Sequence, residues 1–328
     1  MAEKLRWGIL ATGWIAELFV KDLQLTGHSV TAVGSRTSAR AQAFASAFNI
    51  PTAHGSYEAL AADPNVDIVY IATPHPQHHA NAMMALQAGK HILVEKPFTI
   101  NAVEAAEVVA LARSKGLLVL EAMWTRFLPH ICRMREIIAA GTIGEVRSIT
   151  ADHRQHLSDD PKHRLNDLAL GGGALLDLAI YPISLTWDIL GKPDHLHATA
   201  TFRATGADAQ VATVFHYASG AIATTLSSSD SAGPNRAAIV GTKGRIEIDR
   251  VWYEPSSFRV YDNDNALIET CAPARIGRGM QFQADEVERL IAAGQTESAI
   301  LPPDETVQIM QTLDALRAQI GLRYPSES

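Results

Sequence analysis

Three places in this chain carry side chains whose types and spacing could do chemistry. The first is the turn Ala11-Thr12-Gly13-Trp14-Ile15-Ala16, which ends an apolar run and opens an amphipathic one. It fits the pattern G-x-G-x-x-G/A with Gly13 in the middle and Ala16 last, and departs from it at Ala11. A residue without a side chain at 13 lets a diphosphate approach, and a helix starting there offers free N–H groups and a positive dipole end. A plain tight turn is the bland alternative. The next apolar run ends in Ser35-Arg36, with Arg40 a helical turn later. An acidic residue there would bind the ribose hydroxyls of NAD, whereas a guanidinium can hold a 2′-phosphate through two hydrogen bonds. The expectation is NADP(H) in preference to NAD(H), against the alternative of a solvated arginine.

The second place is Glu95-Lys96-Pro97, at the end of the run HILVE. In an open α/β sheet ligands sit outside the carboxyl ends of the strands, so Lys96 could reach a substrate. The third is Asp177 and Tyr181, four residues apart in an apolar helical pattern and so on one helix face. The triplet Gly171–Gly173 just before them would let a ligand come close to the backbone. A solvated aspartate and a core tyrosine would explain the same pair without function.

The elements around these residues alternate. Strands are expected at 5–10, 29–35, 67–72, 91–95 and 117–120, and helices at 14–23, 38–48, 56–60, 76–88 and 101–115. Repeated strand–helix–strand order implies a parallel sheet with helices on both faces. The pattern changes after Glu121. A helix over 131–140 and a strand over 146–154 lead to a polar loop at 155–170 and an apolar helix over 174–190. Strands then dominate to about 270, with a hairpin turn at Gly241–Gly244, and helices over 281–293 and 305–320 close the chain. The fold class is therefore α/β: a dinucleotide-binding Rossmann domain over 1–122, then an α/β domain over 123–328 with a large open, mostly antiparallel sheet.

A length of 328 residues suits two domains. A formal charge of −7 argues against a sequence-independent nucleic-acid binder. No apolar run is expected to span a bilayer, and MAEKLRWGIL reads as a first strand, not a signal peptide. Cys132 and Cys271 lie far apart, which suits a reducing cytoplasm and no disulfide framework. His75, His78 and His79 are neighbours on one helix start and would not converge on a metal, so none is expected.

The run from Ile71 to Pro97 resembles the Gfo/Idh/MocA family of oxidoreductases. It has a strand ending in Thr73-Pro74, a histidine four residues after Pro74 at His78, and Ala-Gly-Lys-His-hydrophobic-Glu-Lys-Pro from Ala88. Glu121–Phe127 (EAMWTRF) and Gly171–Tyr181 (GGGALLDLAIY) are similar to the dihydrodiol dehydrogenase and NADP-dependent sugar dehydrogenase branch. The resemblance covers essentially the whole chain. It implies an active site between the two domains and catalytic roles for Lys96, Tyr181 and Asp177. Thr73, Pro74, His78 and Glu95 join residues 11–15, Ser35, Arg36, Arg40 and Lys96 around the cofactor. Many relatives have histidine where Tyr181 stands. Trp124, Arg126, Phe127, Arg154 and His156, with Tyr181, are candidates to bind a sugar, polyol or cyclic diol, and domain packing is the alternative for Trp124, Arg126 and Phe127. His163 and Arg164 lie in the same polar loop as His156. A homodimer or homotetramer through the C-terminal sheet is implied as well.

Oxidising an alcohol removes its hydroxyl proton as hydride leaves carbon. Tyrosine and lysine titrate near 10 and 10.4 in isolation, and a nearby ammonium favours tyrosinate. Tyr181 is thus the expected proton carrier, tuned by Lys96 and oriented by Asp177; Lys96 itself is the other candidate. An NAD-dependent glycosidase and a cofactor-binding redox sensor are competing functions on the same scaffold. Ser35-Arg36 counts against the first, and the presence of Lys96 and Tyr181 against the second.

Overall fold

The computed structural model describes residues 4–327. They form two compact units. The first contains residues up to Trp124 together with 276–310, and the second contains 125–275 and the residues from 311 on. The last helix is divided between them.

In the first unit six strands form one parallel sheet: β1 (Arg6–Leu10), β2 (Ser29–Gly34), β3 (Thr52–His54), β4 (Ile68–Ile71), β5 (His91–Glu95) and β6 (Val119–Ala122). Their spatial order is β3-β2-β1-β4-β5-β6, which puts the switch point between β1 and β4. Ligands of such sheets bind at that point. β4 is buried along its whole length and β5 nearly so, as parallel strands covered on both faces must be. Helices α1 (Trp14–Leu25), α2 (Ser38–Phe48), α3 (Tyr57–Ala61), α4 (His78–Gln87) and α5 (Ala102–Lys115) make the crossovers. Their starts follow local chemistry. The Ser56 hydroxyl accepts the Ala59 N–H and the Asn101 side chain accepts the Glu104 N–H, caps worth about 1 kcal/mol each. The Glu104 carboxylate reaches back to the Ile100 N–H.

Residues 276–310 pack with this first unit, although the sequence places them beyond a single boundary near 122. The reason is local. The buried Asp22 carboxylate on α1 accepts the backbone N–H groups of Arg278 and Met280, at 2.9 Å each. Trp7 and His28 both bond to Glu288 on α8 (Gln281–Ala292).

The second unit holds an eight-stranded sheet. It begins with α6 (Pro129–Ala139) and β7 (Val146–Arg154), followed by α7 (Ile180–Leu190), β8 (His195–Phe202), β9 (Asp208–His216) and β10 (Ile222–Ser228). β11 (Ala237–Gly241), β12 (Gly244–Ile248), β13 (Phe258–Asp262) and β14 (Leu267–Cys271) complete it. The order is β14-β13-β12-β11-β7-β10-β9-β8. All pairs are antiparallel except β7 with β10, which run parallel. On β7 the alternation buries Ile149, Ala151 and His153 on one face and leaves Thr150, Asp152 and Arg154 on the other. A concavity of about 440 Å³ lies on that second face, lined by Thr150, Asp152, Thr224, Arg245 and Arg259 among others. The last helix is α9 (Pro303–Ile320).

One expectation changes here. The stretch Leu168–Leu190 is 23 residues long and its most apolar 18-residue window has mean hydropathy 1.6, long and apolar enough to cross a bilayer by length and composition alone. Its most apolar window is 83% buried inside the fold, as the core helix of a packed protein is.

Candidate active site

The turn after β1 is open where a phosphate would need it open. Gly13 precedes α1 and makes no side-chain cap, and a Cβ added to it would meet nothing within 4 Å. The first N–H groups of α1 therefore have no side-chain cap, and the residues fit a dinucleotide diphosphate. Ala11, the departure from the glycine pattern, has φ +92° and donates its N–H to Gly34 O at 3.0 Å. It adopts a backbone shape that glycine would reach without strain. Thr12 and Ile15 are half-buried, while Trp14 is 63% exposed. At the end of β2 Ser35 is buried and Arg36 and Arg40 are exposed. Both guanidinium charges act on the Tyr57 phenol, whose pKa burial still holds above its ordinary value. Both arginines thus lie within electrostatic reach of Tyr57.

The Lys96 turn is fixed from several directions. The Tyr70 hydroxyl donates to Glu95 Oε1 at 2.5 Å, and the other carboxylate oxygen accepts the Lys96 N–H at 3.2 Å. The Lys96–Pro97 peptide is cis. His78 is fully buried, with Nδ1 2.9 Å from Pro97 O and Nε2 2.8 Å from Thr73 O. It ties the end of β4 to the lysine turn, and Pro74 follows at the start of a short 3₁₀ turn. Burial, aided by the Lys96 charge, holds its pKa below the usual value despite these carbonyls. Thr73 Oγ1 accepts from Asn81 at 3.2 Å. The sequence found these residues but not Tyr70, which orients the glutamate.

In the second unit Asp177 and Tyr181 do not sit on a plain α-helix. Residues Leu175–Ala179 form a π-helical turn, and the Ile180 N–H reaches Leu175 O. Such turns are frequent at functional sites. Pro182 has no N–H to give Leu178 O, and His153 Nδ1 donates to that carbonyl instead, at 3.2 Å. The bond draws the His153 ring edge-on to Tyr181, centroids 4.9 Å apart, and Tyr253 stacks on its face at 3.7 Å and also meets Tyr181, at 5.6 Å. Gln155 Nε2 lies 2.8 Å from His153 Nε2 and donates to it when Nδ1 carries the ring proton. Asp177 and Tyr181 are both buried, and Arg164 from the polar loop pairs with Asp177 at 3.2 Å.

The helix start is built around a second buried carboxylate. Asp208 Oδ2 accepts the Leu175 N–H at 2.6 Å. Burial pushes the Asp208 pKa up to about 6, against the pull of the Leu175, Asp208 and Ala174 N–H groups. A Cβ on Gly173, whose φ is +129°, would stand 1.9 Å from Asp208 Oδ1. The glycine is therefore required for the aspartate to reach the helix end. Tyr324 secures the same turn by donating to Gly172 O at 3.1 Å.

Arg126 is buried and bonds Ser184 and Asp188 on α7, so its guanidinium braces the helix that carries Tyr181. Phe127 is buried nearby in sequence, and Trp124 is buried in the first unit. Arg154 pairs with Asp152 on the face of β7 opposite His153, because successive strand residues alternate. The structure does not bring it to Tyr181; its neighbour His153 stands there instead. His156 is exposed and forms an isolated bridge with Asp230. Among the described residues no three His, Cys, Asp or Glu side chains group as a metal site. His153, Tyr253 and Asp208 escaped the sequence reading, although the buried alternation Ile149, Ala151 pointed to residue 153.

Comparison with known proteins agrees with the fold of the two units. Residues 5–123 match the oxidoreductase family with an NAD-binding Rossmann fold, and residues 131–247 match the GFO/IDH/MocA C-terminal domain. Trans-1,2-dihydrobenzene-1,2-diol dehydrogenase of Mus musculus is 38% identical over 336 residues, covering 98% of this chain and 99% of that one. D-xylose 1-dehydrogenase (NADP(+)) of Hypocrea jecorina is also 38% identical, over 98% of this chain and 93% of its own. The crystal structure of a 3-ketoreductase from Actinomadura kijaniata with NADP and TDP-benzene superposes with TM-score 0.84 and 26% identity, over 97% of this chain and 98% of that one. With a dinucleotide turn, a Glu-Lys-Pro strand end and a buried Asp-Tyr helix in place, the chain belongs to the Gfo/Idh/MocA family of oxidoreductases.

Proposed function

We propose that this chain is an NADP(H)-dependent dehydrogenase or reductase acting on the hydroxyl or carbonyl carbon of a sugar, polyol or cyclic diol. The observation that carries the cofactor choice is the exposed pair Arg36 and Arg40, following Ser35 where an NAD site would place an acid. Relatives named as a dihydrodiol dehydrogenase and an NADP(+)-dependent xylose dehydrogenase support the substrate class. The bound nicotinamide supplies or accepts the hydride. In this reading residues 11–15 hold the diphosphate, Ser35, Arg36 and Arg40 the 2′-phosphate, and Thr73, Pro74, His78 and Glu95 shape the nicotinamide side. Tyr181 Oη gives or takes the proton. Lys96 Nζ hydrogen-bonds the substrate oxygen and favours the tyrosinate, and Asp177 orients the group. His153 and Tyr253 keep the Tyr181 ring in one position.

The first test is titration of the cofactor-stripped protein with NADPH and NADH, followed by tryptophan quenching. NADPH should bind more tightly, and Arg36→Glu should remove the preference. Tighter NADH binding would overturn the arginine reading, and binding of neither would overturn the oxidoreductase reading. Sugars and diols are then screened by nicotinamide absorbance. Tyr181→Phe should lower turnover by about 100-fold or more and flatten the pH–rate profile, the usual size of a lost acid–base group. Near-normal turnover would transfer the role to Lys96, with Lys96→Met as the companion variant. Self-association through the open face of the eight-stranded sheet, as a dimer or tetramer, is part of the proposal and is checked by light scattering. A cytoplasmic setting fits the two unpaired thiols, Cys132 and Cys271.

A further inference from the structure

The tripeptide Gly277-Arg278-Gly279 lies far along the chain yet packs in the first unit. It is held in a shape that ordinary residues avoid: φ is +59° at Gly277 and +100° at Gly279. A Cβ on Gly277 would come within 2.3 Å of Asp22 Oδ1. The Asp22 carboxylate, buried on α1, accepts the Arg278 N–H at 2.9 Å and 3.1 Å and the Met280 N–H at 2.9 Å. The backbone of this segment is thus pinned to the same helix whose first turn fits a diphosphate.

The pinning decides where the guanidinium goes. Its central carbon lies 5.5 Å from the Trp14 ring and 5.3 Å from the Trp124 ring, within cation–π range of both. Trp14 is the first residue of α1, directly after Gly13. Trp124 follows β6, the edge strand beyond β5. Both rings therefore stand at the carboxyl edge of the sheet, where ligands of this fold bind. The adenosine half of a dinucleotide belongs to the β2 side, beside Arg36 and Arg40, so the span from Trp14 to Trp124 faces the other half. A guanidinium there is set to meet phosphate oxygens through charge-assisted bonds. Two aromatic rings flank it.

We propose that Arg278 is a cofactor-binding residue, taking a diphosphate oxygen on the nicotinamide side, and that Asp22 is the positioning residue that sets it there. The inference rests on the proposed use of NADP(H). It is tested in the full chain by tryptophan quenching with two probes, NADPH and adenosine 2′-monophosphate, the second of which has neither diphosphate nor nicotinamide. Arg278→Ala should weaken NADPH binding by roughly 10- to 100-fold, the size of a lost bond to a charged group, and leave adenosine 2′-monophosphate unchanged. Arg278→Lys should recover part of the loss. Asp22→Asn, which weakens the pin, should weaken NADPH in the same direction by less. Equal NADPH affinity in wild type and Arg278→Ala would overturn the inference while leaving the proposed function standing. An equal loss for both probes would also overturn it, since the effect would then be general to the fold. Failure of the wild type to bind NADPH would defeat the proposed function first.

Discussion

His28 is expected to titrate far above an ordinary histidine. It sits just before β2 with its side chain 7% exposed, Nδ1 2.7 Å from Glu288 Oε1 and Nε2 3.1 Å from Asp285 Oδ1. Burial opposes its charge, but the two carboxylates outweigh burial and raise the pKa from 6.5 to about 9. The Trp7 indole N–H donates to the same Glu288 oxygen at 3.0 Å and fixes its direction. A shift of about 2.5 units corresponds to about 3 kcal/mol at most. Asp285 is half in solvent, with 54% of its side chain exposed, so screening reduces this to about 1–2 kcal/mol. The sign follows from a folded pKa above the unfolded one. The contribution is fully present below pH 6.5 and is lost as pH rises through about 9. Proton NMR of the imidazole should show a midpoint near 9. In denaturant, His28→Gln should be less stable than wild type by about 1–2 kcal/mol at pH 6, and the gap should narrow above pH 9. A midpoint at or below 6.5, or a gap that does not change with pH, would refute the reasoning.

Two further substitutions test the loops. Ala11→Gly relieves a residue held at φ +92°, and the strain released, about 1–2 kcal/mol, exceeds the extra freedom glycine gives the unfolded chain. Thermal melts should show a small rise in midpoint, with NADPH affinity kept. Gly173→Ala puts a methyl against Asp208 and should cost more than about 3 kcal/mol or abolish turnover. Asp208→Asn keeps an acceptor for Leu175 without the buried charge. The wild type should lose stability as pH rises from about 4 to about 6, because the folded pKa of Asp208 lies above 3.8. The variant, compared with wild type by denaturant titration across that range, should lack that part of the decline.

The first unit was largely legible because its signals are local. Alternating apolar runs, the caps Ser56 and Asn101, and Gly116 after Lys115 each mark a boundary through nearby backbone chemistry. The chemistry-bearing turns were legible for the same reason. Arg164 was visible as a loop residue, but its pairing with Asp177 spans 13 positions. Asp208 acts on a helix 33 positions earlier, and Asp22 on a segment 256 positions later, so no window of sequence contains either partner. Arg154 stands out in the sequence because it borders the polar loop 155–170, while His153 carries no such signal. Face alternation, not charge, decides which of two strand neighbours meets α7. The packing of 276–310 with the first unit rests on the same long-range carboxylate contacts.

The π-helical turn at Leu175–Ala179 has an evolutionary reading. A turn with one extra residue behaves like a one-residue insertion that the helix has absorbed locally instead of passing on. Had the insertion been propagated, every later side chain would have turned by about 100° around the helix axis. Ser184 and Asp188 would then have swung away from Arg126, whose bonds to both now act as a stop. The lower part of α7 is thus in a fixed phase while the register above it is adjustable. Length change in the stretch from Gly173 to Ile180 is therefore a route by which this scaffold can re-aim Asp177 relative to Tyr181 without disturbing the packing beneath them.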